Sequence, residues 1–552
     1  MEQVRFLLAI ALSFLVLFVW QNYFLEKPEL PPSDVAENQT IPDMLPEKMP
    51  PHLEATKLPA GQPADQEQSI ESTIPAKRIL VQTPLFDIEF SERGAAIQRI
   101  MLVNYKETND ADSLLKQIVH LDDKLGTALI SFQNQVIPDL DKVVFQAETQ
   151  RSIIKVSTLE KLRFIYNSPQ GIKVVKTYLF DPASYTVGLN VSIDNPTTFP
   201  VGDQLNIVLR RNVPETQGYI FEGPAILLNN HLNEIDQDDI EDKKVFSGAI
   251  SWAALEDRYF LTAVLPLDNQ ADNRQAKIHV ENSVMNLVLT QSSMNIAPGT
   301  QKNIAFHLFL GPKSLDILNG LDNNLNQVIN FGWFDLLARP CLYLMNLIYK
   351  FIPNYGIAII LLTILIKLLF WPLGNKSYKS MNEMRKLQPM MKKIQEKYKD
   401  DRQKLNQELM GLYRTYKVNP LGGCLPMVLQ IPVFIALYRM LYQAIELRHA
   451  PFFLWINDLS APDRLFHFTF YVPFMEEPYG IPVLTIIMGA TMLIQQKMSP
   501  PPGDPNQAKM MMFLPIVFTF IFINFPAGLV LYWLVNNVAS ILQQYYINKK
   551  NE

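Results

Sequence analysis

Apolar residues pool at the two ends of this chain, and the middle alternates. Phe6 to Trp20 holds one polar residue, Ser13. Extension to Leu25 gives about 20 residues, enough to cross a bilayer. The run closes on Phe18-Val-Trp-Gln-Asn-Tyr-Phe24 and lacks the small residues of a cleavage site. The pattern therefore predicts an uncleaved anchor over 1–25, with Trp20 and Tyr23 as interfacial aromatics. Residues 28–75 carry ten prolines in 48 positions. Such a stretch cannot bury a core and reads as a tether, giving a linker over 26–78.

From Ile79 the period changes to two. Leu85-Phe-Asp-Ile-Glu-Phe90, Lys173-Val-Val-Lys-Thr-Tyr-Leu179 and Tyr185-Thr-Val-Gly-Leu-Asn-Val-Ser-Ile193 alternate or are β-branched. Ser168-Pro-Gln-Gly171 and Asp194-Asn-Pro196 supply turns. Many short strands with turn signals predict a β-sandwich, assigned to 79–315.

After Phe331 the apolar segments lengthen. Gly332 to Phe351 has apolar residues at helical spacing with Arg339 and Lys350 among them, which predicts an amphipathic interfacial helix within a 316–353 connector. Apolar spans are expected at 354–373, 421–444, 481–497, 510–525 and 526–547, six in all with the anchor. A loop over 498–509 and a tail over 548–552 complete the chain. Loop charges orient the spans. Residues 374–420 carry twelve Lys/Arg against five acids, and residues 445–480 carry two against five. The positive-inside rule puts the first loop in the cytoplasm and the second outside. Both termini are then cytoplasmic and the β-domain is outside. Within 374–420, Met381, Met384, Leu387, Met391, Ile394 and Tyr398 recur at three- and four-residue spacing, followed by Leu405, Leu409, Leu412 and Tyr416. This predicts a two-helix hairpin with a kink or restart at Pro389.

Composition narrows the function. A net charge of −5 argues against a general nucleic-acid binder, and no DNA partner is expected. Two cysteines, Cys341 and Cys424, exclude a disulfide framework. The seven histidines are scattered without metal spacing, Gly311-Pro-Lys-Ser314 lacks a phosphate loop's upstream glycine, and the acidic run Glu234–Asp242 reads as a solvated loop. No catalytic constellation, metal or cofactor is expected. A transporter would bring inverted repeats and paired intramembrane charges, and neither is visible.

Lys367 is the residue that needs explaining. It stands alone in an apolar stretch, at about 2.5–3.5 kcal/mol if it lies at mid-bilayer. Side chains lean toward the helix N-terminus, away from the cytoplasmic headgroups on this span. Lys367 is therefore expected to face a wet cavity, with Thr363 one turn earlier. Gln430, Asn536, Asn537, Ser540 and Gln543 offer it polar company or serve as helix–helix contacts. Fourteen of 21 methionines fall in 376–512. Flexible thioethers suit the binding of varied apolar segments, with core filling as the plain alternative. Met381, Met384, Met391 and Met410 of the hairpin are the candidates.

Four motifs carry a resemblance. Asn419-Pro-Leu-Gly-Gly-Cys-Leu-Pro-Met-Val-Leu-Gln-Ile-Pro-Val-Phe434, Ala436-Leu-Tyr438, Gln496-Lys-Met-Ser-Pro500 and Phe525-Pro-Ala-Gly-Leu-Val-Leu-Tyr-Trp533 resemble the YidC membrane protein insertases. These are the bacterial branch of the family that includes mitochondrial Oxa and chloroplast Alb. The anchor and large outer domain resemble the Gram-negative form. The resemblance implies a polytopic α-helical inner-membrane protein, with five of six transmembrane helices forming a core around a hydrophilic groove. It further implies a periplasmic β-supersandwich domain and a cytoplasmic helical hairpin. Lys367 matches the groove cation, usually Arg in bacterial members. Thr363, Gln430, Gln496 and Trp533 match further motif positions, and Tyr532 and Asn536 are expected to line the same groove. The implied partners are nascent inner-membrane proteins, Sec translocon components, membrane lipids, the ribosome and the signal recognition particle or its receptor. The tail after Ile547 is short, which weakens ribosome docking through it.

Overall fold

The computed structural model describes residues 76–551, except 111, 122–125, 214–220, 241–244, 269–272, 322, 399–400, 417, 419–424 and 499–504. The expected anchor and almost all of the linker lie outside the described residues. What is described forms an all-β domain followed by a helical bundle.

The β-domain is built from strands between Arg78 and Pro312. A nine-stranded antiparallel sheet has Thr300–Pro312 near its centre, flanked by Phe260–Pro266 and Thr186–Asn195. Thr186–Asn195 alternates strictly between half-buried and buried positions, as its period-two sequence requires. Phe260–Pro266 is buried at every position, because it lies between other layers on both faces. A five-stranded sheet, with Arg274–Glu281, Val284–Thr290 and Leu205–Asn212 at its middle, packs across the first. A second five-stranded sheet starts at Arg78–Gln82 and includes one parallel pairing, with Ile153–Lys155. The Ser168–Gly171 turn forms as its sequence demands, with Gly171 at φ +89° and its N–H donating to Ser168 O at 2.9 Å.

Lys176 is fully buried in this core. Its ammonium donates to three backbone carbonyls, Gly94 O at 3.1 Å, Ala95 O at 2.9 Å and Ala128 O at 2.8 Å. Tyr178 also donates to Ala95 O, at 2.8 Å. One cation thus satisfies carbonyls of two separate turns that no strand pairs, and holds them against the nine-stranded sheet.

The bundle begins with α1 (Asp335–Phe351) and α2 (Tyr355–Leu369). Asn354 caps α2, its side chain accepting from Ile357 N at 3.0 Å. The chain then breaks at Phe370 and turns 65° into α3 (Trp371–Lys397). Pro372 falls in the first turn of α3, where a missing N–H costs nothing. Pro389 lies inside α3, which neither ends nor restarts there. The expected break is instead at Phe370, ahead of the proline that starts the new helix. Next come α4 (Arg402–Thr415), α5 (Leu425–Gln443), α6 (Val483–Met498), α7 (Pro505–Phe522) and α8 (Ala527–Asn551). α8 packs on α2 and α6, α1 on α5, and α6 on α7.

No described helix alone is long and apolar enough to cross a membrane, but α2 and α3 together meet the test as a bent pair. α6 is 16 residues long, and polar residues interrupt α8. Large apolar side chains are nonetheless exposed along α2, α6 and α7, among them Leu365, Ile486, Ile494, Phe513, Val517 and Phe520. Faces of this kind are out of place in water.

The domain is seated on the bundle through residues 442–460. Arg258 donates to Tyr442 O at 2.7 Å, and its guanidinium lies 3.8 Å from the centre of the Tyr442 ring. Asn109 donates to Asn457 O at 2.8 Å, and Arg448 donates to Glu107 O at 3.1 Å. Beside this seat, Glu256 is 1 % exposed and accepts from Lys313 at 2.6 Å. Burial pushes the Glu256 carboxyl up to about 7, against the pull of Lys313.

Two expectations follow. Lys176→Met strands Gly94 O and Ala128 O, with Ala95 O still accepting from Tyr178, and should cost about 2 kcal/mol in chemical unfolding of the full chain; an unchanged midpoint would refute the ammonium's role. The folded pKa of Glu256 exceeds its ordinary value of 4.5, so its contribution to stability is full below 4.5 and is lost as pH rises through about 7. Melting midpoints should fall across that window, and Glu256→Gln should flatten the slope.

Candidate functional site

α8 carries its polar side chains at helical spacing. Asn536, Ser540 and Gln543 follow one line, and Asn537 and Gln544 follow the next. A helix inside a bundle must satisfy these groups from its neighbours. Asn537 donates to Thr491 Oγ1 at 3.2 Å and Gln544 to Met498 O at 2.9 Å, both on α6. Gln543 donates to Trp371 O at 3.1 Å and to Asn375 Oδ1 at 3.0 Å, both at the start of α3. Gly374 allows that approach, since a Cβ there would meet Gln543 Nε2 at 2.8 Å. The bend after α2 is thereby clamped to α8.

Lys367 closes the remaining gap. Its ammonium donates to Ser540 Oγ at 2.6 Å and to Asn536 Oδ1 at 3.4 Å. Gln430 of α5 donates to the same Asn536 Oδ1 at 2.8 Å. Ser540 donates in turn to Asn536 O at 2.7 Å and shares a side-chain hydrogen bond with Tyr378 of α3. Gln430 shares one with the Tyr532 hydroxyl. A single network thus runs Tyr532, Gln430, Asn536, Lys367, Ser540, Tyr378 across four helices. Among the described residues no carboxylate lies within ion-pair distance of Lys367. Both oxygens that accept from its ammonium, Ser540 Oγ and Asn536 Oδ1, are neutral.

The structure brings together Lys367, Gln430, Tyr532 and Asn536, and leaves other candidates elsewhere. Thr363 is 2 % exposed and donates to Ile359 O of its own helix at 2.6 Å. It lies one turn from Lys367 but spends its hydroxyl on backbone. Gln496 sits half-buried on α6, with no bond to the network among the described residues. Trp533 joins an aromatic cluster, 4.5 Å from Phe434 and 4.8 Å from Phe522 between ring centres. Tyr532 is 3 % exposed and stacks on Phe434, so its ring is a wall and not an open track. Tyr378 is the participant that sequence reasoning missed. Its only signal was a position 11 residues beyond Lys367, meaningful once the chain turns at Phe370.

The hairpin methionines divide. Met391 is buried with Leu387 and Val418, and Met384, Leu409 and Tyr413 pack around them. Tyr413 donates to Met391 Sδ at 3.8 Å. Met384 and Met391 therefore fill the hairpin's own core. Met410 is 52 % exposed and faces outward, as does Met390, and Met381 is half-buried. Among the described residues no group of His, Cys, Asp and Glu forms a metal site.

Fold and site together define a class: a helical bundle with lipid-suited apolar faces, threaded by one half-buried polar network, joined to an all-β domain. Residues 347–552 match the family model described as 60Kd inner membrane protein, and residues 78–344 match that of the YidC periplasmic domain. Relatives named membrane protein insertase YidC align over nearly all of both chains. The one from Syntrophus aciditrophicus (strain SB) is 40 % identical over 556 residues, covering 99 % of each chain. That from Pelobacter propionicus is 39 % identical over 559 residues, with 99 % of each chain covered. That from Geotalea daltonii is 40 % identical over 551 residues, again with 99 % of each covered. The chain belongs to the YidC family. Its relatives are named for moving proteins into membranes and not for a catalysed reaction.

The shared acceptor gives a direct test of the network. In a double-mutant cycle of Gln430→Ala and Asn536→Ala, unfolding free energies in detergent should show a coupling of about 1 kcal/mol. Simple additivity would remove the bond.

Proposed function

We propose that this chain is an inner-membrane insertase and chaperone, working alone or beside the Sec translocon, whose working group is the Lys367 ammonium. The observation that carries this reading is the company Lys367 keeps. A cation among apolar helices, held only by Ser540 Oγ and Asn536 Oδ1, retains an uncompensated charge. It attracts a short acidic segment of a client on its way outward, and the network's polar atoms stand in for part of the water that segment loses. The client's apolar segment then leaves along the exposed face of α2 into lipid, driven by hydrophobic transfer and helped by the membrane potential.

The loop charges support six spans with both termini cytoplasmic and the β-domain periplasmic. In that arrangement α3 and α4 stand in the cytoplasm. Their basic surface, with Lys397 and Lys404 against the Tyr398 ring at 5.1 and 5.6 Å, suits anionic headgroups and ribosomal RNA. Exposed Met410 and Met390 offer first contact to apolar client segments. Clients, the ribosome, the signal recognition particle or its receptor, and Sec components are the partners this reading assigns.

The test is complementation of an insertase-depleted strain with Lys367→Arg, Lys367→Ala and Lys367→Glu. Insertion of a small client with an acidic exported segment is scored beside protein level. Arg should work, and Ala and Glu should fail at normal levels. Wild-type insertion of every client by the Ala variant would overturn the electrostatic step.

A further inference from the structure

The segment joining α5 to α6 ends in a β-hairpin of unusual surface. Its strands are Leu465–Phe468 and Tyr479–Ile481. Six of the 17 residues from Leu465 to Ile481 are aromatic and none is Lys or Arg. Phe466, Phe470, Tyr471 and Phe474 are 62–81 % exposed. Phe468 stacks on Phe470 at 5.0 Å, and Tyr471 meets Tyr479 edge-on at 5.9 Å.

The hairpin is built and fastened. Arg464, almost buried, donates to Pro478 O at 2.9 Å across its base, to Ile523 O at 2.8 Å and to Asn524 Oδ1 at 3.1 Å. Asn524 donates to Phe474 O and accepts from Glu476 N, each at 3.0 Å. Asp463 accepts from Leu484 N and from the Trp455 indole. These bonds tie the hairpin to the end of α7 and the start of α6. Gly480 fits because a Cβ there would stand 2.6 Å from Phe466 O. Phe466 and Phe474 have φ of 54° and 65°, a region that aromatic residues avoid. Strained backbone persists where the surroundings over-determine it, and here it holds the most outward-reaching phenylalanines in place.

We propose that this hairpin is an interfacial anchor that seats in the extracytoplasmic leaflet, with Phe466, Phe470, Tyr471 and Phe474 at the headgroup–acyl boundary. The proposal rests on the six-span arrangement above, in which the start of α6 and the end of α7 face outward. Lipid is the occupant because the aromatic surface continues the exposed apolar faces of these same two helices, from Ile486 and Phe520 onward. Tyr471 and Tyr479 are of the kind enriched at membrane interfaces, and phenylalanine is typical of the lipid-buried face of interfacial segments. Glu476 and Glu477, both exposed, keep the hairpin at the interface, since two carboxylates cannot follow it into the acyl core.

The test uses the full chain with Cys341→Ser and Cys424→Ser, reconstituted in phosphatidylethanolamine–phosphatidylglycerol vesicles. A nitroxide is placed at Phe474→Cys, and at Phe470→Cys where backbone geometry is ordinary. Val517→Cys on α7 and Val245→Cys on the β-domain serve as lipid and water references. Collision with oxygen against a water-soluble nickel chelate should place both hairpin labels about 5–10 Å below the headgroups. Chelate access equal to that at position 245 overturns the anchor. Protection that appears only when membrane proteins are added also overturns it, and makes the surface a protein dock. If position 517 itself is open to the chelate, the six-span reading falls and takes the anchor with it.

Discussion

The bundle depends on one constraint: the polar stripe of α8 must find partners without water. Five side chains on that helix demand hydrogen bonds, and four neighbouring helices, α2, α3, α5 and α6, are arranged to supply them. The stripe fixes the rotation of α6 through Asn537 and Gln544, and the entry of α3 through Gln543. Lys367 is the strand of this web that does not balance. Its hydrogen bonds are met by neutral oxygens, while its charge is not. Neutral hydrogen-bond partners hold a charge that no carboxylate among the described residues matches.

The β-domain solves a different problem with a similar device. Its core is ordinary, two main sheets and a third closing over apolar side chains, yet a lysine stands inside it. Lys176 serves carbonyls that the ladders leave over, and it needs no carboxylate because its partners are dipoles. The seat on the bundle uses a stacked guanidinium and backbone acceptors at Arg258 and Arg448, beside a connector whose buried Leu315, Leu318 and Phe331 join the apolar cores of domain and bundle.

Local pattern carried much of this into the sequence. The alternation of Tyr185–Ile193 is a statement about one strand, and it holds in place. Lys367 stood out because charge in an apolar run is costly wherever it lies. The features that escaped depend on angles and contacts far apart in the chain. Nothing near Phe370 spells a 65° turn, so Tyr378 could not be matched to Ser540. Of the kink or restart expected at Pro389, the restart does not occur, since the helix runs on through it to Lys397. The motif position Thr363 shares α2 with Lys367 but spends its hydroxyl on backbone, and Gln496 lies on α6, which carries no member of the Lys367 network. Phe466, Phe468 and Phe470 alternate as a strand should, but the short run lay inside a polar loop and its partner comes after two prolines.

Helix α3 spans 27 residues without interruption, with Tyr378 near one end and Met391 thirteen residues further on. That separation is about 20 Å along the helix. The helix is tied beside Phe370 to Gln543 and carries the hairpin core at its far end. Tyr378 is bonded to the same hydroxyl that holds the Lys367 ammonium, so the helix that carries the hairpin core also carries a restraint on the charge.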